Sequence, residues 1–213
     1  MIDFWNQRYA ASEYAYGTEP NDFFRYCLNE YSSTLLPDRP ALLMPAEGEG
    51  RNAVYAASLG FDVTAFDPSE QARLKALKLA KTYGIASEKL DYRLGDCTIL
   101  DEPEHSFDAA GLIYAHFPPA LRAQYYPRIQ ALLKPDALVF LEGFSVNNLP
   151  YRAKNPDIGG PTDPSMLFTK ESVVADFPGF EPLYIQEEEV ELREGIYHVG
   201  IGKVIRMIAQ KQG

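Results

Sequence analysis

Short apolar runs alternate with helix-period stretches through the middle of the chain, and proline or glycine closes most of them. Ala41-Leu42-Leu43-Met44-Pro45-Ala46, between Pro40 and a glycine-rich turn, predicts a buried strand. Residues 51–59 put Val54, Ala57 and Leu59 on neighbouring helical positions, with Gly60 where a C-terminal cap belongs. The unit repeats as a strand at 61–66 and a helix from Pro68 to Tyr83, ended by Gly84. Strands follow at 90–94 and 107–113, then a helix from Pro118 to Leu133 stopped before Pro135, then a strand at 137–141. Parallel neighbours need crossovers that helices supply, so this alternation predicts a doubly wound, mostly parallel α/β sheet. Residues 181–191 and 197–209, flanking Arg193-Glu194-Gly195, predict an antiparallel C-terminal hairpin at the sheet edge. With no internal repeat, residues 1–213 read as a single domain.

Charge and cysteine content narrow the partners. Twenty Lys+Arg against 30 Asp+Glu leave a net charge of −10, a field that repels phosphate backbones and anionic membranes. Neither nucleic acid nor membrane is an expected partner. Cys27 and Cys97 form no CxxC, and no Cys/His cluster has metal-ligand spacing, so no metal site is expected. The first residues lack a basic stretch followed by an apolar one, and no apolar run approaches the ~18 residues of a membrane span. A cytoplasmic, reducing location is the expectation.

The chemistry concentrates at the ends of the first three strands. Ala46-Glu47-Gly48-Glu49-Gly50-Arg51 joins strand to helix with two glycines, which lets backbone approach a ligand at a helix N-terminus. Asp67 closes the second strand, where a carboxylate can accept both hydrogens of a ribose diol; next to Pro68 it also reads as a helix N-cap. Gly95-Asp96-Cys97 follows the third strand, where a short acceptor side chain can take an adenine amine, or form an ordinary turn. Occurring in order, the three outline an adenosine pocket.

Gly48-Glu49-Gly50-Arg51-Asn52-Ala53 with Val63-Thr64-Ala65-Phe66-Asp67 resembles motifs I and II of the class I S-adenosylmethionine-dependent methyltransferases, in particular their small tellurite-resistance-like and thiopurine-methyltransferase-like group. Trp5-Asn6-Gln7-Arg8-Tyr9 through Tyr16-Gly17-Thr18-Glu19-Pro20-Asn21 is similar to that group's N-terminal lid. Phe107-Asp108 through His116-Phe117-Pro118-Pro119 resembles its fourth-strand segment, and Leu133-Lys134-Pro135-Asp136 the approach to its fifth strand. The resemblance implies a Rossmann-like, seven-stranded class I fold. The chain departs from the pattern where the usual acidic residue and first glycine of motif I fall on Met44 and Ala46, and where the small or thiol residue falls on Glu47.

The resemblance implies S-adenosylmethionine as cofactor, S-adenosylhomocysteine as product, and a small-molecule methyl acceptor. It places Ala46, Glu47, Gly48, Gly50, Asp67, Pro68, Asp96, Cys97 and Tyr114 around the cofactor, with Glu47 facing its ammonium in place of an acid at position 44. Residues 1–30 are then a lid from which Arg8 and Tyr16 reach the methionine carboxylate. Since the sulfonium is already activated, the protein chiefly aligns the acceptor and excludes water. A hydroxyl or amine acceptor needs a base, and His116, just past the fourth strand, is the candidate, though it reads equally as a helix-entry residue hydrogen-bonded to backbone. His105 reads as a loop residue and His198 as a packed or surface residue of the last strand. Residues 147–166 hold too many breakers for regular structure and are expected either to loop over the acceptor, with Tyr151 and Arg152 as contacts, or to form a disordered connector. A monomer or homodimer is expected. Two rival readings remain: a NAD(P)-dependent oxidoreductase, because Gly48-x-Gly50-x-x-Ala53 also satisfies a dinucleotide fingerprint, and a non-catalytic S-adenosylmethionine-binding protein.

Overall fold

Leu42 and Met44 face one side of the first strand and Leu43 the other, and all three are fully buried. That alternation calls for helices on both faces. The computed structural model, which describes residues 2–35 and 37–213 and leaves the side chains of 32–35 undescribed, supplies them. Five parallel strands, β1 (Ala41–Pro45), β2 (Asp62–Asp67), β3 (Leu90–Leu94), β4 (Phe107–Ile113) and β5 (Leu133–Phe144), are joined by a long hairpin of β6 (Phe180–Glu194) and β7 (His198–Lys211). The sheet order is β3-β2-β1-β4-β5-β7-β6, with β7 antiparallel to both its neighbours. This is the predicted mostly parallel, doubly wound seven-stranded sheet with an antiparallel C-terminal hairpin, the class I methyltransferase fold.

Helices α2 (Asp22–Leu35), α3 (Arg51–Ser58) and α4 (Glu70–Thr82) contribute to one core, through Phe24, Leu28, Val54 and Ala76 against Leu42, Met44 and Val63. Helices α5 (Pro119–Leu132) and α7 (Lys170–Asp176) contribute to the other, through Tyr126, Ile129 and Val173 with Leu43, Phe66 and Val139. The opening segment is more regular than its polar, aromatic sequence suggests: α1 (Ile2–Tyr9) precedes α2 and packs on α4.

Residues 147–166 differ from the expectation. They fold into α6 (Leu149–Lys154) and short 3-10 turns at 156–158 and 164–166. Pro150, Pro156 and Pro164 lie in the first turns of these segments, where a missing N–H costs nothing. Asn155 and Asp163 cap the two 3-10 turns. Prolines that read as breakers are therefore starters. Ile158 docks the segment into a cluster with Phe144, Leu192 and Val204.

Candidate active site

The β1–α3 turn is held by its own side chains. Ala46 and Gly48 take left-handed backbone (φ 51° and 67°), and Gly50 does the same at the helix start (φ 88°). Glu47 Oε1 accepts from the Asn52 and Ala53 N–H groups, each at 2.8 Å, so this carboxylate caps the N-terminus of α3. Burial pushes Glu47 up to about 7. One of its two oxygens is thereby committed to the helix. Met44 is core: its sulfur fills the space over Gly111, beside Phe24, where an acid would have no water.

Asp67, at the end of β2, is buried and accepts from Gly48 N–H (3.0 Å) and Ser69 N–H (2.9 Å). Helix α4 is capped by Ser69, not Asp67. Burial raises Asp67 to about 6, and it has no cationic partner among the described residues. Tyr92 donates to the Gly48 carbonyl, and a Cβ on Gly48 would come 3.0 Å from the Tyr9 hydroxyl, so α1 lies directly over the turn. Pro68 is half-buried beside Asp67. Asp96 Oδ1 accepts from Thr98 N–H and Oγ, while Cys97 is a core residue whose thiol is pushed up to about 12 by burial. Cys97, Thr98, Leu100 and Tyr125 line a recess of about 210 Å³ at this end of the site.

The opening segment is fastened at several points. Asn6 accepts from Ser69 Oγ (2.6 Å), and Ala15 N–H donates to Glu49 (2.7 Å), which is itself paired with Lys75 at 2.7 Å. Arg8 donates to the Tyr16 hydroxyl at 3.0 Å and stacks over the Tyr197 ring at 4.0 Å. The predicted pair Arg8 and Tyr16 is thus brought together, at the tip of the hairpin.

Over the ends of β4 and β5 stands a cluster of rings. Tyr114 takes φ 55°, a strained conformation for a bulky residue, and its buried hydroxyl faces the Glu142 carboxylate. Its ring lies 4.8 Å from Phe144 and 4.5 Å from His198. Of the two readings of His116, the structure favours the residue hydrogen-bonded to backbone. Its Nδ1 lies 2.8 Å from the Met166 carbonyl, and its Nε2 accepts from Phe144 N–H at 3.0 Å. Both nitrogens are spent on backbone and burial lowers the ring to about 4, so His116 ties three segments together and is no base.

Residues 43–136 match the family model of a methyltransferase domain. That stretch runs from β1 to the start of β5. Solved structures agree on the fold of the domain and its surroundings. One, reported with the conversion of a disulfide bond into a thioacetal group during echinomycin biosynthesis, is 18% identical over all of this chain and 92% of its own, at a TM-score of 0.76. A S-adenosylmethionine-dependent methyltransferase of Methanosarcina mazei is 21% identical over 86% of this chain and 97% of its own, at 0.68. The Burkholderia thailandensis 1,6-didemethyltoxoflavin-N1-methyltransferase, with 1,6-didemethyltoxoflavin and S-adenosylhomocysteine bound, is 22% identical over 90% and 79%, at 0.61. No curated protein matches the sequence. The fold is that of the class I methyltransferases.

The residues present fit a ribose-bearing cofactor. Asp67 is a desolvated carboxylate with two backbone donors and no cation among the described residues, so each oxygen keeps an acceptor position that a sugar diol fills. Three residues of this region escaped the sequence reading: Glu49, Glu142 and Glu194. Glu142, fully buried at the end of β5, accepts from Asn21 and Arg206. A charge inside Leu138-Val139-Phe140-Leu141-Glu142 was its available signal. Glu194, at the hairpin tip, pairs with Arg51 at 2.9 Å. Among the described residues no helix is long and apolar enough to cross a membrane.

Proposed function

We propose that the chain transfers the methyl group of S-adenosylmethionine to a small-molecule acceptor. The Asp67 carboxylate carries the reading: buried, without a cation, and set against the Gly48 backbone at the end of the second strand, it suits a ribose diol. In this reading Ala46, Gly48 and Gly50 bring backbone to the methionine portion, Asp96 and the Cys97 backbone flank the base, and Arg8 with Tyr16 closes over the carboxylate tail. The remaining oxygen of Glu47, contacted only at 3.5 Å by Asn52, faces the ammonium. Pro68 shapes the turn beneath the sugar, and Tyr114 borders the methyl group. The bound cofactor supplies an activated methyl whose departing electron pair stays on sulfur. The residues around it orient the acceptor and exclude water.

A small acceptor is favoured by the narrow, covered approach: the opening segment and the hairpin tip meet over the site, with Ile196 N–H donating to the Ala15 carbonyl at 2.8 Å. The Burkholderia neighbour, named for N1-methylation of a small heterocycle, lends the same direction. Membership of the tellurite-resistance-like group belongs to this proposal, as does a single domain spanning residues 1–213, a cytoplasmic location and a monomer or homodimer. The nicotinamide rival is disfavoured by the antiparallel β7 between β5 and β6, where a dinucleotide fold continues its parallel strands. Calorimetry decides: S-adenosylhomocysteine is expected to bind and NADH not to. Binding of NADH alone would overturn the reading. Transfer of labelled methyl into a small-acceptor panel separates an enzyme from a pure binder.

A further inference from the structure

His198 opens β7 at the hairpin tip, 5% exposed, between the Tyr16, Tyr114 and Phe144 rings. Its Nδ1 lies 2.7 Å from Glu194 Oε2. Glu194 is in turn held by Arg51 Nη2 at 2.9 Å and by the Asn21 amide at 2.9 Å. A carboxylate anchored on two sides fixes the imidazole with its proton on Nδ1 and its lone pair on Nε2. Nε2 has no hydrogen-bond partner among the described residues. Next to it runs the Gly159-Gly160 backbone: a Cβ on Gly159 would come 3.2 Å from Nε2 and 2.8 Å from Cδ2. Both glycines take left-handed backbone (φ 83° and 89°), so a side chain here is excluded twice over. His116 has two backbone partners; His198 has one carboxylate and one free nitrogen. That difference marks a base rather than a staple.

We propose that His198, oriented by Glu194 and Arg51, is the general base for an acceptor bearing a neutral hydroxyl or ring N–H. The proposal rests on the methyl-transfer reading and names the acceptor's chemistry. As the acceptor's O or N forms its bond to the methyl carbon, the carbon–sulfur bond breaks with its electron pair left on sulfur. The acceptor's proton passes to Nε2 and from the imidazolium to water. The charged and titratable groups around His198 are Glu194, Arg51, Arg8, Tyr16, Tyr114 and His116. Burial first, together with Arg51 and Arg8, lowers the imidazole against the pull of Glu194, so it stands neutral and able to accept at pH 7.

Two readouts test this. The first is carbethoxylation by diethyl pyrocarbonate, mapped by peptide mass: His105, which is exposed, and His198, through its unbonded Nε2, are expected to react, and His116, with both nitrogens bonded, to resist. An unreactive His198 overturns the proposal. The second compares 4-methylphenol with 4-methylbenzenethiol as probe acceptors at pH 8, where the thiol is largely ionised and needs no base. His198→Gln is expected to lower methylation of the phenol by at least about 100-fold and to leave that of the thiol within about threefold. Equal losses on both, or wild-type transfer to the thiol alone, overturn it, and so does transfer to neither while S-adenosylhomocysteine binds. Should His198→Gln fail to fold, wild-type protein carbethoxylated at His198 is expected to show the same selective loss. If S-adenosylhomocysteine does not bind wild type at all, the methyl-transfer reading fails first, and the mapping still judges the free nitrogen.

Discussion

Arg51, the first residue of α3, and Glu194, the last of β6, form an ion pair of 2.9 Å that ties the cofactor turn to the hairpin tip. Both side chains are mostly buried, and Arg51 also donates to the Tyr16 carbonyl at 3.1 Å. Removing one partner leaves the other charge stranded, which costs about 3–5 kcal/mol. Arg51→Met is therefore expected to lower stability by that order in chemical denaturation, and Arg51→Met with Glu194→Gln by less than Arg51→Met alone.

The same pair sets a pH window. Burial alone would raise Glu194, but the Arg51 charge and the His198 hydrogen bond hold it at about 2. A depressed folded value contributes stability that is present above the unfolded value, ~4.3, and lost as pH falls through about 2. Wild type should lose melting temperature more steeply than Glu194→Gln between these limits. Parallel curves would contradict the assignment.

Asp67 works in the opposite sense. Its folded value of about 6 makes the protonated form the one that folding favours, so its share of stability is full below ~3.9 and lost as pH rises through 6. A diol prefers the ionised form. Affinity for S-adenosylhomocysteine is expected to fall below pH 6, by up to about tenfold per pH unit, as measured by calorimetry. Asp67→Asn should bind weakly at pH 8 and show little further change on acidification.

Gly50 is the tightest point of the turn. At φ 88° an added Cβ meets Ala76 Cβ at 2.5 Å and Cα at 2.9 Å, and backbone cannot swing aside. Gly50→Ala is expected to cost about 1–3 kcal/mol from conformational strain, with the clash adding to it, and to separate α3 from α4. Thermal unfolding in the absence of cofactor measures this directly.

His116→Ala would leave the Phe144 N–H and the Met166 carbonyl unpaired, each worth about 1–3 kcal/mol if they remain buried. The expected result is a lower melting temperature with turnover per folded molecule retained within about tenfold. A loss of turnover without loss of stability would restore this ring to the chemistry.

The strands and crossovers were legible because each carries its own period and its own glycine or proline stop. Asp67 and the Gly48-Gly50 turn were legible for the same local reason. Residues 147–166 misled because a proline that begins a 3-10 turn has the same letter as one that ends a helix; only the caps Asn155 and Asp163 distinguish them. The surroundings of His116 and His198 were not legible. What separates them is the partner of each nitrogen, and those partners, Phe144, Met166 and Glu194, come from other turns of the chain.

Strand β7 lies between β5 and β6, so the innermost part of the hairpin side is built from residues 198–211. During synthesis the ribosome releases β1 to β5 long before the strand that completes the sheet. The roof above Tyr114 therefore forms only once those residues have cleared the exit tunnel. Until then a nascent chain that already holds Asp67 and the glycine turn lacks the wall carrying His198, and it presents the open edge of β5 to whatever chaperone meets it.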